Sequence, residues 1–251
     1  MGMLDGKVAL VTGAGQGVGQ GIAFALATEG AAVAVTGRTA SKCEDTCKQI
    51  EKRGGRAIAM ACDVKSEKAL ATTVQEVVRQ LGGIQILVNN AQEVPLGPLH
   101  GVSDAEFTAG FESGPLATFR LMKLCYPHLK GNGSIINLAS TSAMRWDMSN
   151  YGCYAAVKEA IRSLTRAAAC EWGGDGIRTN AILPLATSPG LADWITNRPE
   201  ESAAFLATVP MRYAGECEED IGRFVALLCS AGSRYVNGQC IALDGGQAHM
   251  G

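Results

Sequence analysis

The sequence predicts a single α/β domain in which a doubly wound parallel sheet of about seven strands carries helices on both faces. Three observations support this fold class. Short apolar, β-branched runs alternate with longer helical patterns, a glycine-rich turn follows the first of these runs, and polar residues stand directly after several others. Because the carboxyl ends of parallel strands meet at one edge of a sheet, we expect these polar residues to converge there.

The strands and helices are predicted from the spacing of apolar residues. The predicted strands are Val8–Thr12, Ala32–Thr36, Ala57–Cys62, Ile84–Asn89, Ser134–Leu138, Thr179–Leu183 and Cys240–Leu243. They are near-continuous apolar runs, as expected of strands that are buried on both faces. The helical patterns between them are Ile22–Glu29, Thr39–Arg53, Glu67–Leu81, Leu116–Leu129, Tyr154–Trp172 and Glu218–Ser230. Pro115 has no amide hydrogen, so a helix is expected to restart there. No linker is evident, and residues 1–251 are expected to form one domain.

The composition argues against several classes of function. The net charge is −2 and there is no basic run of the kind that binds nucleic acid. No stretch reaches the roughly 18 apolar residues that a membrane span needs, and early charged residues argue against a signal peptide. Nine cysteines without paired spacing indicate free thiols in a reducing, cytoplasmic setting. The three histidines are far apart in sequence, so no metal site is expected.

A glycine-rich turn connects the first strand to the first helix. The run Lys7–Thr12 leads into Gly13, Gly17 and Gly19, and a helical pattern follows from Ile22. Glycines let the backbone turn tightly and approach a pyrophosphate, and the free N–H groups at the start of a helix hold the anion. Strand, turn and helix therefore occur in the order that a dinucleotide site requires.

Ser140, Tyr154 and Lys158 are the candidate catalytic residues. Tyr154 and Lys158 are four residues apart in a predicted helix, so their side chains lie on one face, one turn apart. A nearby ammonium favours a phenolate, which predicts that Lys158 lowers the pKa of Tyr154. Such a tyrosine can exchange a proton with an alcohol or a carbonyl, and the Ser140 hydroxyl can hold the same oxygen.

Together these motifs resemble the short-chain dehydrogenase/reductase family, over nearly the whole chain. The matching segments are Thr12–Gly19, Asp63–Val64, Asn89–Gln92, Ser140, the pair Tyr154 and Lys158, Arg178–Pro184 and Asp244–Gly246. The resemblance implies a Rossmann-like fold and an oxidoreductase that uses a nicotinamide cofactor. It also implies a homotetramer in which the helices Leu116–Leu129 and Tyr154–Trp172 pair across one interface.

The resemblance also implies roles for individual residues. Lys158 is expected to hydrogen-bond the nicotinamide ribose, Ser140 to position the substrate oxygen, and Tyr154 to give or take the proton. The residues expected to contact the cofactor are Gly13, Gln16, Gly17, Val18, Gly19, Arg38, Asp63, Val64, Asn90, Ala91, Tyr154, Lys158, Pro184 and Thr187.

The end of the second strand favours NADP(H) over NAD(H). An acidic residue there would accept hydrogen bonds from the adenosine ribose of NAD. Instead Thr36 and Gly37 are followed by Arg38, and a guanidinium suits a 2′-phosphate. The glycine turn has neutral Gln16 where many NADP-using relatives carry a second basic residue.

Apolar residues predict a hydrophobic substrate, a ketone or secondary alcohol that is steroid-like, fatty or aromatic. The predicted substrate-pocket residues are Gln92, Met144, Trp146, Tyr151, Leu185 and Trp194. Residues from about 185 to 213 are rich in Leu, Trp, Ile and Phe, and we expect them to form a lid.

Two alternatives stay open. Tyr151 precedes Lys158 by seven residues, a spacing that resembles the enoyl reductases of the same superfamily. The other alternative is a catalytically silent nucleotide-binding or scaffold protein. It is motivated by departures from the family pattern: Gly114 stands where many members have an asparagine, Gln92 replaces a glycine, and Leu185 stands where Pro-Gly is usual.

Overall fold

The computed structural model describes residues 2–144 and 150–248. Seven strands form one parallel sheet in the order β3-β2-β1-β4-β5-β6-β7. The strands are β1 Val8–Thr12, β2 Ala32–Gly37, β3 Arg56–Ala61, β4 Ile86–Asn89, β5 Gly133–Leu138, β6 Ile177–Pro184 and β7 Cys240–Leu243. The order reverses between β1 and β4, and a sheet that reverses in this way binds ligands at the carboxyl edge beside that point. The predicted fold class is confirmed.

Helices cover both faces of the sheet. They are α1 Gly17–Thr28, α2 Ala40–Lys52, α3 Glu67–Leu81, α4 Asp104–Phe111, α5 Ala117–Leu129, α6 Gly152–Trp172, α7 Pro189–Asn197, α8 Pro199–Leu206 and α9 Arg223–Cys229. Along β1, Ala9 and Val11 face a core that includes residues of α1, α2 and α9. Val8 and Leu10 face a second core that includes residues of α3 and α5. Successive strand residues point to opposite faces, so the apolar run of β1 is explained by burial on both sides.

Three helices occur where the sequence analysis predicts none. One is α4, whose first turn has a capping box in which Ser103 and Glu106 bond each other's backbone N–H groups. The other two, α7 and α8, lie in the predicted lid. Ser188 caps α7, and its hydroxyl accepts a hydrogen bond from the Leu191 N–H at 3.3 Å.

Pro115 does not restart a helix as predicted. The backbone runs from α4 to α5 through one π-helical segment, Glu112–Leu116, in which the Ala117 N–H bonds the Glu112 carbonyl five residues back. A proline ring in an α-helix clashes with the carbonyl four residues earlier. The wider π turn relieves that clash without breaking the helix.

The described residues contain no helix that is both long and apolar enough to cross a membrane. All nine cysteines lie in that part of the chain and are free thiols, as predicted. Within the same residues no cluster of His, Cys, Asp and Glu is arranged to hold a metal ion.

Candidate active site

The turn between β1 and α1 is rich in glycine, so a bound ligand can approach its backbone closely. Gly13 and Gly17 have φ angles of 64° and 60°, in the left-handed region that glycine tolerates best. A Cβ at Gly19 would lie 2.4 Å from the Asn90 side-chain nitrogen and 2.5 Å from the Gly13 carbonyl oxygen. No side chain caps α1, so its first N–H groups are available to an anion.

Asn90 and Thr12 join this turn to the end of β4. The Asn90 side chain donates to the carbonyl oxygens of Thr12 at 2.8 Å and Gly13 at 3.1 Å. The Thr12 hydroxyl accepts from the backbone N–H groups of Asn90 and Ala91. Asn90 therefore fixes the shape of the glycine turn as well as lying beside it.

Charged side chains converge beyond the ends of β2 and β3. Arg38 Nη1 donates to Glu93 Oε1 at 2.8 Å, and Lys65 Nζ lies 2.9 Å from the same oxygen. Lys42, from α2, donates to Gln16 Oε1 in the glycine turn. Cations therefore surround the position expected for the adenosine end of a dinucleotide.

Other predicted cofactor residues lie along the same edge. Asp63 is exposed and its carboxylate accepts from the Lys65 N–H at 3.0 Å. Val64 is buried in the core beside α3, and Val18 is partly buried against the opposite core. At the end of β6, Pro184 is partly buried, and the Thr187 N–H donates to the Gly215 carbonyl.

Ser140, Tyr154 and Lys158 come together where β5 ends against α6. The Ser140 side chain lies close enough to the Tyr154 phenol to lower its pKa. Lys158 Nζ lies 5.5 Å from the centroid of the Tyr154 ring and donates to the Leu138 carbonyl oxygen at 2.6 Å. This carbonyl, which no sequence motif marks, fixes the direction of the Lys158 side chain.

Burial dominates the protonation of this group. It raises the pKa of Tyr154 to about 12, although the Ser140 side chain acts in the opposite direction. It lowers the pKa of Lys158 to about 7. The sequence analysis predicts an acidified phenol, and the structure gives the opposite direction because desolvation disfavours both charged forms. At neutral pH Tyr154 is thus a protonated phenol that can donate.

A buried polar chain supports the same region. The Asn89 side-chain nitrogen donates to Asn137 Oδ1 at 2.8 Å, and the Asn137 nitrogen donates to the Thr165 hydroxyl at 2.9 Å. The first bond connects β4 with β5, and the second connects β5 with α6. Both involve Asn137, the residue before Leu138. Buried polar chains of this kind fix one packing arrangement.

The predicted substrate-pocket residues are distributed around the site. Met144 packs against a small cluster of Ala139, Ala181 and Leu183, and Tyr151 is exposed with its ring centroid 5.8 Å from that of Tyr154. Leu185 is partly buried and its N–H donates to the Leu243 carbonyl. Gln92 is partly buried. Trp194 packs on Phe205, with ring centroids 5.6 Å apart. Trp146 lies outside the described residues.

The residues present fit a bound dinucleotide. Side chains larger than hydrogen are excluded at Gly13 and Gly19 by the close approach of Asn90, and the start of α1 offers uncapped N–H groups. The pyrophosphate would be held there, with the adenosine toward Arg38 and the nicotinamide toward Lys158.

Comparisons with known proteins identify the family of this chain. A family model described as "Enoyl-(Acyl carrier protein) reductase" matches residues 13–248. The 12alpha-hydroxysteroid dehydrogenase of Clostridium sp. is 40% identical over 255 residues, which cover 98% of each chain. A solved 7α-hydroxysteroid dehydrogenase, complexed with NADH and 7-oxo glycochenodeoxycholic acid, is 34% identical with a TM-score of 0.91 over 98% of this chain and 95% of that chain. A blue fluorescent protein from a metagenomic library, in complex with NADPH, is 32% identical with a TM-score of 0.89 over 98% and 99% of the two chains.

The chain belongs to the short-chain dehydrogenase/reductase family. It is an NAD(P)-dependent oxidoreductase that interconverts CH–OH and C=O groups.

Proposed function

We propose that this enzyme interconverts a bulky hydrophobic ketone and its secondary alcohol, with NADP(H) preferred over NAD(H). The observation that supports the chemistry most directly is the grouping of Ser140, Tyr154 and Lys158. The Tyr154 phenol has the Ser140 hydroxyl beside it and the Lys158 amine 5.5 Å from its ring centroid. A carbonyl oxygen placed between the phenol and the hydroxyl can accept the phenolic proton.

The chain supplies the proton while the cofactor supplies the hydride. When bound, a reduced nicotinamide transfers hydride to the carbonyl carbon. The Ser140 hydroxyl orients the carbonyl oxygen, and the Tyr154 O–H bond breaks as the proton moves to that oxygen. The raised pKa of Tyr154 keeps the phenol protonated at neutral pH and therefore favours reduction. Alcohol oxidation runs the same transfers in reverse and needs Tyr154 deprotonated.

The apolar segment 185–213 supports a large hydrophobic substrate. None of the residues of α7 is fully buried, and α8 buries only Ser202, so both helices are weakly anchored, as a movable cover requires. Two relatives named above act on or bind steroids by their printed names. We therefore infer a steroid-like or polycyclic ketone as the substrate class.

A first experiment tests this function with purified enzyme. We expect NADPH oxidation with steroid and polycyclic aromatic ketones, and much slower oxidation with short aliphatic ketones. Enoyl thioesters are included because of the description of the matching family model. Turnover of enoyl thioesters alone would favour enoyl reduction, and cofactor binding without turnover of any substrate would favour the silent protein.

The preference for NADP(H) is supported by Arg38 and Lys65. Both cations lie within 3 Å of one oxygen of Glu93, so both can approach one anion. A 2′-phosphate presents several oxygens to such a pair. Lys65 offers the second cation that the sequence analysis does not find at Gln16.

Replacing Arg38 by alanine is expected to raise the KM for NADPH about tenfold. A hydrogen bond to a charged group contributes roughly 1.5–3 kcal/mol, and the exposed guanidinium falls at the lower end because solvent screens it. The KM for NADH should change less than twofold. Steady-state kinetics with both cofactors measure the difference, and Lys48→Ala, which removes an exposed lysine of α2, is the control. Equal losses for both cofactors would refute the role of Arg38.

We also propose a cytoplasmic location and a homotetrameric assembly for the enzyme. Its free thiols suit a reducing cytoplasm. Exposed Phe119 lies in the first turn of α5, and exposed Phe111 is the last residue of α4. The family resemblance predicts a subunit interface at α5, and these exposed rings support a homotetramer.

A further inference from the structure

Gln92 carries a buried amide that has no hydrogen-bond partner among the described residues. Both its Nε2 and its Oε1 are inaccessible to solvent and unpaired. Unpaired buried polar atoms are costly, and an apolar side chain of the same shape would fill this space more favourably. The amide therefore needs a partner that the protein chain does not supply, either a water or a bound ligand.

The space that the amide occupies exists because residue 114 is glycine. A Cβ at Gly114 would lie 2.8 Å from Gln92 Nε2 and 2.9 Å from Val157 Cγ1. Any larger residue at this position would collide with both groups. Gln92 and Gly114 are thus two departures from the family pattern that fit each other.

The amide lies beside the catalytic face of α6. Val157 is three residues after Tyr154 and directly precedes Lys158, and residues three apart on a helix are neighbours. The backbone at Gln92 is also held in place, because the next residue, Glu93, donates its N–H to the Ser113 hydroxyl at 2.9 Å. That hydroxyl in turn donates to the Ala109 carbonyl, so Ser113 does not face the reaction.

We propose that Gln92 is a positioning residue whose amide holds a hydroxyl oxygen next to Tyr154 and Lys158. The Nε2 group donates and the Oε1 atom accepts, so together they suit an O–H group that does both. This oxygen belongs either to a water in the proton path or to a second hydroxyl of the substrate. The inference rests on the proposed function, since it assigns the oxygen to the same reaction.

Gln92→Met tests the proposal, because methionine keeps the length of the side chain and removes the amide. We expect kcat/KM for the preferred ketone to fall at least tenfold, the KM for NADPH to stay within twofold, and the melting temperature of the cofactor-free enzyme to stay equal or rise. Gln49→Met, the same change at an exposed residue of α2, should leave all three unchanged. A lower melting temperature, or an unchanged kcat/KM for every ketone tested, would overturn the proposal.

The choice of substrates identifies the oxygen. A bound water predicts that kcat falls for every ketone and that the pH profile of kcat shifts. A substrate hydroxyl predicts instead that KM rises only for ketones that also carry a hydroxyl group. Ketones without a hydroxyl group should keep their KM. Either pattern supports the proposal. A uniform loss of kcat with an unshifted pH profile would refute it.

An exchange of the two residues gives an independent test. Gly114→Asn alone should nearly abolish activity through the collision with Gln92, and Gln92→Gly alone should lower kcat. The double variant should recover at least tenfold over the Gly114→Asn variant, because the asparagine amide then fills the vacated space. No recovery would refute the coupling.

An inactive wild-type enzyme would refute the proposed function itself, whereas an active wild type that is insensitive to these changes refutes only this inference.

Discussion

Replacing Tyr154 by phenylalanine is expected to lower kcat for ketone reduction about 10³-fold, within the range that a positioned acid contributes. Phenylalanine keeps the ring in place and removes the hydroxyl, which is the proposed proton donor and lies beside the Ser140 side chain. The binding of NADPH should be little affected, because the glycine turn and Arg38, which are expected to hold its phosphates, are unchanged. Stopped-flow or steady-state absorbance measures the rate, and fluorescence titration measures cofactor affinity.

Tyr151→Phe is the matched control for this variant. The two rings are neighbours, with centroids 5.8 Å apart, but Tyr151 is exposed and its hydroxyl is not needed for carbonyl chemistry. We expect less than a threefold change in kcat. If Tyr151→Phe removed activity and Tyr154→Phe did not, the assignment of the proton donor would be wrong and the enoyl-reductase alternative would gain support.

Replacing Lys158 by methionine is expected to lower kcat for reduction about 10²-fold and to remove its pH dependence near neutrality. Burial lowers the pKa of Lys158 to about 7. Below that pH the amine is charged and stabilises the negative charge that develops on the Tyr154 oxygen as its proton leaves. Above that pH the charge is lost, so the wild-type reduction rate should fall as pH rises through about 7. A pH–rate profile of both proteins measures this effect.

The same pKa predicts a change in stability with pH. Between about pH 7 and the ordinary pKa of a lysine, the folded protein holds Lys158 neutral while the unfolded chain holds it charged. Folding then releases a proton, so burial of Lys158 destabilises the folded protein most at about pH 7 and below, and this cost decreases as pH rises across that window. The melting temperature of wild type relative to Lys158→Met should therefore rise from pH 7 to pH 9. Lys52→Met, an exposed change, is the control, and a pH-independent difference would contradict the lowered pKa.

Most of the sheet could be predicted because its strands are buried on both faces. The predicted bounds of β1 and β7 match those observed, and the other strands differ by one or two residues at their ends. Helix α4 was missed because only Gly110 within it is buried, so it has no apolar stripe to recognise. Its capping box, Ser103 and Glu106, is the signal that could have revealed it.

The candidate site was predictable in position but not in its charges. The glycine turn and the pair Tyr154 and Lys158 are local motifs with fixed spacing, so the sequence carries them. The contacts of Glu93 with Arg38 and Lys65 join residues 55 and 28 positions apart, and no periodicity encodes such a meeting. The protonation of Tyr154 was predicted in the wrong direction, because sequence shows the nearby amine but not the burial.

The π-helical segment at Glu112–Leu116 constrains the length of the chain before α5. Each residue of an α-helix advances the chain by about 100°, and a π turn accommodates one surplus residue. Deleting that residue would rotate α4 relative to α5 by about 100° around the helix axis. Gly114 would then no longer face Val157 while the buried face of α5 kept its place. Substitutions in this segment therefore leave the orientation of α5 intact only if the number of residues is conserved.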